Sequence, residues 1–307
     1  MIFPKKLKKG DRVALVSPAS PVPEERLAPA IAAVESYGLV PVVYESCRAR
    51  RGYLSGSDEL RASDLMEAFT DDSIDGIWCI RGGYGAQRLI ERLDLEKIAA
   101  HPKFFGGYSD ITALHVVLNQ SCSMVTYHTP MPSTELYKPV DDYTADWVQR
   151  MLFGSLTGEA VQPDNMPLEK LTGGSAEGIL VGGNLSLVVS SIGTPYEIDT
   201  RGKILFMEDV NEEPYRIDGM LQQMAASGKL REAAGIVLGY WTDCTTEHME
   251  KSLTLREVFE DLIVPAGVPA VMNLACGHSL PSNCLPLGAR VKLDADRLTL
   301  TIEEDGQ

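Results

Sequence analysis

The chain has 307 residues, which is enough for two domains of ordinary size and for a hydrophobic core that needs no disulfide or metal to stabilise it. Hydrophobic residues make up 44% and charged residues 23%, a composition that excludes a disordered or fibrous chain. The formal net charge of −15 excludes a protein built to bind nucleic acid, because such a surface needs a basic footprint that neutralises phosphates.

The N-terminal sequence and the cysteines predict a soluble, cytoplasmic protein. The segment MIFPKKLKKGDRVALV has no apolar signal-peptide core followed by a small-residue cleavage site. The sequence contains no run of about 18 apolar residues, so no membrane span is predicted. None of the six cysteines forms a C-x-x-C pair, so reduced and buried thiols are expected. These cysteines are Cys47, Cys79, Cys122, Cys244, Cys276 and Cys284.

Strand and helix patterns alternate along residues 1–135. Apolar runs predict strands over residues 12–20, 39–45, 74–83, 104–109 and 123–131. Helical spacing predicts helices over residues 24–37, 58–69, 85–93 and 110–120, with Asp58 as the cap of the second. This alternation is typical of βαβ units and predicts an α/β fold with a mainly parallel, doubly wound sheet. Since ligands of such sheets bind at the carboxyl ends of the strands, the turns after Ser17, Gly83 and Ser109 should share one edge.

The remainder of the chain predicts a connection and then a second domain. Residues 136–175 are richer in polar residues, proline and glycine, with one helix near residues 142–152, and we interpret them as the linker. Residues 176–307 predict a mixed α/β domain that ends in a hairpin over residues 289–304. We expect no metal, because the sequence has no H-E-x-x-H motif, no clustered Cys/His spacing and no calcium loop.

The segment Gly106-Gly107-Tyr108-Ser109-Asp110 is the strongest local candidate for chemistry. A strand is predicted to end here and a helix to begin, and a serine on such a turn exposes its hydroxyl beside the free N–H groups of the helix start. Those donors suit an oxyanion. The match to G-x-S-x-G is incomplete because Ile111 replaces the second glycine, and an ordinary helix cap is the alternative role for Ser109.

The glycine turn, which we define as Arg81-Gly82-Gly83-Tyr84-Gly85, follows another predicted strand. Its glycines let backbone N–H groups approach a ligand closely. Three interpretations stay open: a phosphate cradle, a backbone donor for the same oxyanion, and a tight turn without a ligand. The first is weak because the P-loop pattern and the full G-x-G-x-x-G pattern are both absent.

A serine nucleophile needs a base, and a third group should orient that base. Of five histidines, His278 lies in a small-residue loop after an apolar strand, while His128, at the end of a strand, is a competitor. Glu208 ends the apolar run Ile-Leu-Phe-Met and suits the orienting role, although an ion pair with Arg216 or Arg201 is the alternative. The next acidic residues are predicted to be solvated; they are Asp209, Glu212 and Glu213.

Six short segments, spread over nearly the whole chain, match one known family when they are taken in order. They are VALVSPAS near the start, RGGYG at 81–85, GYSDIT at 107–112, GGNLSL at 182–187, LFMEDVNEEPYRID at 205–218 and GHS at 277–279. Together they resemble the LD-carboxypeptidases, a family of serine peptidases also called muramoyltetrapeptide carboxypeptidases. One departure is YHTP at 127–130, where a glycine is expected after the histidine.

The resemblance implies a role for each candidate residue. Ser109 would be the nucleophile, His278 the base and Glu208 the orienting carboxylate, with oxyanion donors from the backbone N–H groups of Gly83 and Asp110. It implies a Rossmann-like domain over residues 1–135, with helices flanking the sheet, and a C-terminal α/β domain over residues 176–307. A homodimer without a cofactor or metal is also implied.

The implied reaction is hydrolysis of the L,D amide bond before the terminal D-alanine of cytoplasmic murein tetrapeptides, as in peptidoglycan recycling. Arginine is the natural partner of a terminal carboxylate, so Arg81 and Arg216 are candidates for substrate binding, together with Tyr108. Microcin-immunity enzymes of the same family instead cleave an aminoacyl- or peptidyl-nucleotide amide. Two further functions stay open: a non-catalytic binder of small molecules through the glycine turn, and a cysteine hydrolase using Cys276 or Cys122.

Overall fold

The structure is a computed structural model that describes residues 1–304, and it divides the chain into two compact units. The first unit comprises Met1–Leu156 together with Asn283–Gly288. The second comprises Thr157–Ser282 and residues 289–304. The division after Leu156 lies within residues 136–175, the segment predicted to connect two domains.

The sheet of the first unit is mainly parallel, as the alternating pattern predicts. Its strands are β1 (Arg12–Val16), β2 (Val40–Val43), β3 (Gly76–Cys79), β4 (Phe104–Gly107), β5 (Thr126–His128) and β12 (Leu285–Leu287). Their spatial order is β2-β1-β3-β4-β5-β12, and only β12 runs antiparallel to its neighbour. The strand order reverses between β1 and β3, and the crevice at such a reversal is where doubly wound folds bind ligands.

Helices follow the parallel strands of the first unit. They are α1 (Glu24–Ser36), α2 (Asp58–Thr70), α3 (Leu95–Ala100), α4 (Thr112–Ser121) and α5 (Asp142–Phe153), with 3₁₀ segments at Glu45–Cys47, Ala86–Arg92 and Ser109–Ile111 and a π-helical turn at Pro132–Leu136. Val13, Ala14, Leu15 and Val16 of β1 are all buried, which explains the uninterrupted apolar run.

Two local expectations for the first unit were wrong. Ser57, not Asp58, caps α2, because the Ser57 hydroxyl accepts the Leu60 N–H at 3.2 Å. The Asp58 carboxylate instead binds arginine side chains. The segment predicted as a helix after the glycine turn is 3₁₀ rather than α-helical. Its pattern could not distinguish the two, because its buried residues are spaced by both three and four positions.

The second unit is built on a mixed sheet, again as predicted. Its strands are β6 (Gly158–Glu159), β7 (Glu169–Thr172), β8 (Ser175–Asn184), β9 (Ile204–Val210), β10 (Gly235–Thr242), β11 (Ala270–Met272), β13 (Arg290–Asp294) and β14 (Thr299–Ile302). The order is β6-β14-β13-β8-β9-β10-β11-β7, and β8, β9, β10 and β11 are parallel. The predicted C-terminal hairpin is β13 and β14.

The helices of the second unit are α6 (Leu185–Ser190), α7 (Pro214–Ala226), α8 (Lys229–Glu232) and α9 (Leu255–Leu262), with 3₁₀ segments at Met249–Lys251 and Val264–Ala266. Helix α9 begins with a capping box of Thr254 and Glu257. Across residues 1–304, no helix combines the length and the apolar character needed to cross a bilayer.

Candidate active site

Ser109 lies on a sharp turn between β4 and the helical segment that leads into α4. Its φ of 64° falls in the left-handed region, which is uncommon for a residue with a side chain and costs backbone energy. The residues in the N-cap positions of the two helices are Tyr108 and Ile111, so Ser109 is not a helix cap. The geometry therefore favours the strained strand-to-helix turn over an ordinary capping role.

The glycine turn packs directly against this serine. A methyl group on Gly82 would lie 2.8 Å from the Ser109 Cβ and 3.1 Å from its Oγ. At Gly83, where φ is 119°, a methyl group would lie 2.2 Å from the Ser20 Oγ. Since no side chain fits at these contacts, the two glycines allow the backbone of the turn to approach Ser109 and the loop after β1.

Asp110 has a backbone N–H group and a carboxylate next to Ser109 and the glycine turn. Its backbone N–H belongs to the first turn of the helical segment, where N–H groups lack intrahelical acceptors. Its carboxylate is buried and accepts the Ala86 N–H at 2.7 Å, so it is bonded to the residue after the glycine turn. Burial raises the pKa of Asp110 to about 6, against the lowering effect of the backbone donors.

His278 and Glu208 form a close pair in the second unit. The His278 Nδ1 lies 2.6 Å from the Glu208 Oε2, and the exposed fractions of the two side chains are 13% and 0%. A carboxylate only accepts hydrogen bonds, so Nδ1 donates and Nε2 is the basic nitrogen of the neutral ring. A methyl group on Gly277, whose φ is 132°, would lie 2.8 Å from the same Oε2, which explains the small residue before the histidine.

The remaining histidines have different environments. His115 is buried between the Thr126 hydroxyl and the Gly107 carbonyl, and burial lowers its pKa to about 4. His128, the competitor, is buried with its ring 5.4 Å from the Tyr108 ring. His101 contacts a backbone carbonyl, and His248 is exposed near Glu250. His278 is paired with a buried carboxylate, whereas His248 lies near a carboxylate that is exposed.

The partners and the burial of the charged residues near Glu208 differ in part from those expected. Arg201 pairs with Asp199 and Arg216 with Glu212, so the alternative ion pairs for Glu208 are wrong. Asp209, predicted to be solvated, is buried. Its carboxylate accepts hydrogen bonds from the Asn184 amide, the Ser186 N–H and the Ser186 hydroxyl. Sequence reasoning missed this role because Asp209 follows Glu208 directly, and a strand side chain next to a buried one usually faces the other way.

The three candidates for substrate binding have different environments. Arg81 is partly buried and donates to the carbonyls of Pro21 and Gly82 at 2.7 and 3.2 Å. Burial, together with Arg26 and Arg50, lowers the pKa of Arg81. The Tyr108 side chain is buried, and its hydroxyl donates to Glu135 at 2.6 Å. Arg216 is exposed and holds Glu212 at 2.5 Å.

All six cysteines are buried and outside disulfides, as the sequence predicts. Burial raises the pKa of Cys122 to about 11, which disfavours the nucleophilic thiolate. Neither Cys122 nor Cys276 lies on a strand-to-helix turn. Both observations weigh against a cysteine nucleophile.

Comparison with known families and proteins gives consistent matches for both halves of the chain. Residues 13–129 match the LD-carboxypeptidase N-terminal domain, and residues 177–293 match the LD-carboxypeptidase C-terminal domain. The probable murein peptide carboxypeptidase of Bacillus subtilis (strain 168) is 43% identical over 302 residues, covering 98% of this chain and 94% of the relative.

Solved structures share the fold over nearly the whole length. The muramoyltetrapeptide carboxypeptidase from Oxalobacter formigenes aligns with a TM-score of 0.84 and 28% identity, covering 96% of this chain and 100% of that structure. The structure of MccF in complex with glutamyl sulfamoyl guanosine aligns with a TM-score of 0.89, covering 99% of both chains. Its identity is 22%, so this second likeness concerns the fold alone.

Proposed function

Because the chain belongs to the LD-carboxypeptidase family, we propose that it is a serine carboxypeptidase of murein tetrapeptides, with Ser109, His278 and Glu208 as its triad. It hydrolyses the amide bond between the L-centre of a diamino acid and the terminal D-alanine. The observation that carries this proposal is the 2.6 Å pair of His278 with a fully buried glutamate. The strained turn at Ser109 supports it, and so does the similarity to murein peptide and muramoyltetrapeptide carboxypeptidases.

The proposed chemistry is acyl transfer, and it uses no metal. His278 Nε2 removes the Ser109 proton while the serine oxygen attacks the amide carbonyl. The same imidazole then protonates the leaving amine of D-alanine, and water hydrolyses the acyl-enzyme. Glu208 fixes the tautomer of the imidazole and stabilises its charged form.

Backbone N–H groups of Gly83 and Asp110 stabilise the oxyanion in this proposal. One such donor is typically worth about 2.7–4 kcal/mol of transition-state stabilisation. The close packing of the glycine turn on Ser109 supports the assignment, because donors must be preorganised next to the nucleophile to have this effect.

We expect Gly82→Ala to lower kcat on the order of 10²-fold, because the added methyl group displaces either the Ser109 side chain or the glycine turn. Gly219→Ala is the matched control, since Gly219 is exposed on α7 and a methyl group there meets nothing within 4 Å. Steady-state kinetics of both variants check the prediction. An unchanged kcat in Gly82→Ala would contradict the catalytic role of this contact.

Recognition of the terminal carboxylate is proposed for Arg81. Its guanidinium lies at the carboxyl end of β3, where this fold binds ligands, and it donates to neutral carbonyls rather than to acids. Arg26 and Arg50 add positive potential around it, which favours an anionic group. Arg216 is the weaker candidate because Glu212 already neutralises it.

The substrate is tested by incubating the protein with defined peptides and analysing the products by mass spectrometry. We expect release of D-alanine from the murein tetrapeptide, and no cleavage of the all-L analogue or of a peptide whose C-terminal carboxylate is amidated. Arg81→Gln should raise KM more than it lowers kcat, because it removes a charged partner of the carboxylate. Arg92→Gln, an exposed arginine of the same unit, is the control.

Three different outcomes of the same experiment would redirect the proposal. Equal cleavage of the all-L peptide would contradict the stereochemical claim. Turnover of an aminoacyl-nucleotide amide, with no tetrapeptide cleaved, would assign the chain to the microcin-immunity branch. Tight binding of peptide without turnover would favour a non-catalytic binding protein.

The proposal also includes a cytoplasmic homodimer acting in peptidoglycan recycling. The six buried, reduced thiols suit a reducing compartment. Light scattering on the purified protein measures the oligomeric state, and fractionation of the host cell measures the location.

A further inference from the structure

Charged side chains from two other elements bind the C-terminal end of the glycine turn. The Gly85 carbonyl accepts from the Arg61 Nη1 of α2 at 3.0 Å. The next N–H along the chain, that of Ala86, donates to the Asp110 Oδ2 at 2.7 Å. The peptide bond between Gly85 and Ala86 is therefore held from its carbonyl side by a cation and from its N–H side by an anion, as its dipole requires.

Arg61 is almost completely buried, with an exposed fraction of 1%. Its guanidinium also donates to the Pro18 carbonyl, in the loop after β1, and to the Asp58 Oδ1 at 2.5 Å. One buried cation thus links the loop after β1, helix α2 and the glycine turn. A guanidinium is suited to this, because its planar array of donors can serve several acceptors at once.

Asp110 links the glycine turn to the residue beside it in sequence, Ser109. Its exposed fraction is 1%, and a buried carboxylate in this position needs the hydrogen bonds it receives. The pKa of Asp110 is raised by burial, while the backbone donors and Arg61 oppose that rise, which agrees with a carboxylate held by the turn. Gly83, the proposed oxyanion donor, lies two residues before the bonded peptide.

We propose that Asp110 and Arg61 are positioning residues, which hold the glycine turn so that its N–H group and that of Asp110 point at the same oxyanion. The inference rests on the proposed function, since it concerns the rate at which Ser109 reacts. The Asp110 side chain holds the glycine turn, whereas the Asp110 backbone N–H donates to the oxyanion.

The test measures peptide turnover and, independently of any peptide, the reaction of Ser109 with a fluorophosphonate. In that reaction the serine oxygen bonds to phosphorus, fluoride leaves with the bonding electron pair, and His278 takes the serine proton. The phosphoryl oxygen occupies the oxyanion position, so the rate reports the donors directly. Variants are Asp110→Ala, Asp110→Asn and Arg61→Lys.

We expect Asp110→Ala to lower kcat and the phosphonylation rate by a similar factor, on the order of 10²-fold, with KM changed less than about threefold. Asp110→Asn should recover most of both rates, because an amide oxygen still accepts the Ala86 N–H. Arg61→Lys keeps the buried charge, but its compact ammonium cannot span the separate acceptors that the planar guanidinium reaches, so it should also lower kcat. Asp141→Ala is the control, because it removes a comparable carboxylate bond, to Thr144 N–H, at the start of α5.

Several results would overturn the inference. If Asp110→Ala lowers only the melting temperature while both rates stay normal, Asp110 is structural. If Asp110→Asn is as slow as Asp110→Ala, the hydrogen bond to the Ala86 N–H does not determine either rate. If Asp110→Ala does not fold, normal rates in Arg61→Lys overturn the claim. Failure of the proposed function itself is distinguishable, because the unsubstituted protein would then release no D-alanine, whether or not Ser109 is phosphonylated.

Discussion

Replacing Ser109 by alanine, or His278 by alanine, should each lower kcat for the tetrapeptide by at least about 10⁴-fold while the fold is kept. In the proposed mechanism the serine oxygen forms the bond to the substrate, and no other group of the proposed site can substitute for it. Because members of a triad act as a unit, the double variant should be little slower than either single variant. Release of D-alanine and thermal melting of each variant check both parts.

The controls use residues of the same type elsewhere. Ser36→Ala and His248→Ala change exposed side chains outside the site and should leave kcat unchanged. Cys276→Ser and Cys122→Ser should also change kcat only slightly. Near-normal turnover in Ser109→Ala would reject the assignment of the nucleophile, and loss of turnover in either cysteine variant would favour a cysteine hydrolase.

Glu208→Gln should lower kcat by up to about 10⁴-fold with little effect on KM, by analogy with the orienting acid of other triads. The amide can donate to the His278 Nδ1 and thereby favour the wrong tautomer, and it removes the charge that stabilises the imidazolium. Glu212→Gln is the matched control, because Glu212 lies in the same chain segment and pairs with the exposed Arg216. A Glu208→Gln enzyme within about tenfold of the original kcat would contradict the orienting role, since that loss is below one general-acid or general-base contribution.

The alternation of strands and helices could be predicted because it depends on local pattern. Continuous apolar runs mark strands buried on both faces, and a serine or glycine after such a run lies at a known edge of the sheet. Ser109, Glu208 and His278 each follow an apolar run, which is why the sequence alone marks them as candidates, although it leaves their partners open.

Features formed by distant segments could not be predicted in this way. Strand β12 joins the first sheet although residues 285–287 lie in the C-terminal third of the chain, and no local pattern indicates that pairing. The burial of Arg61 had a weak signal, since Arg61 shares a helix face with Leu65 and Phe69. The acceptors that make its burial possible, Pro18 and Gly85, become neighbours only in the folded chain.

Mapping of the fluorophosphonate adduct by mass spectrometry, with a chelator present, tests most directly whether Ser109 is a nucleophile activated by His278. We predict one adduct, on Ser109, formed by the unsubstituted protein and absent from Ser109→Ala. In His278→Ala its formation should be slower by on the order of 10³-fold, because the base that removes the serine proton is missing. An adduct on another residue, no adduct at all, or an equally fast reaction in His278→Ala would contradict the account.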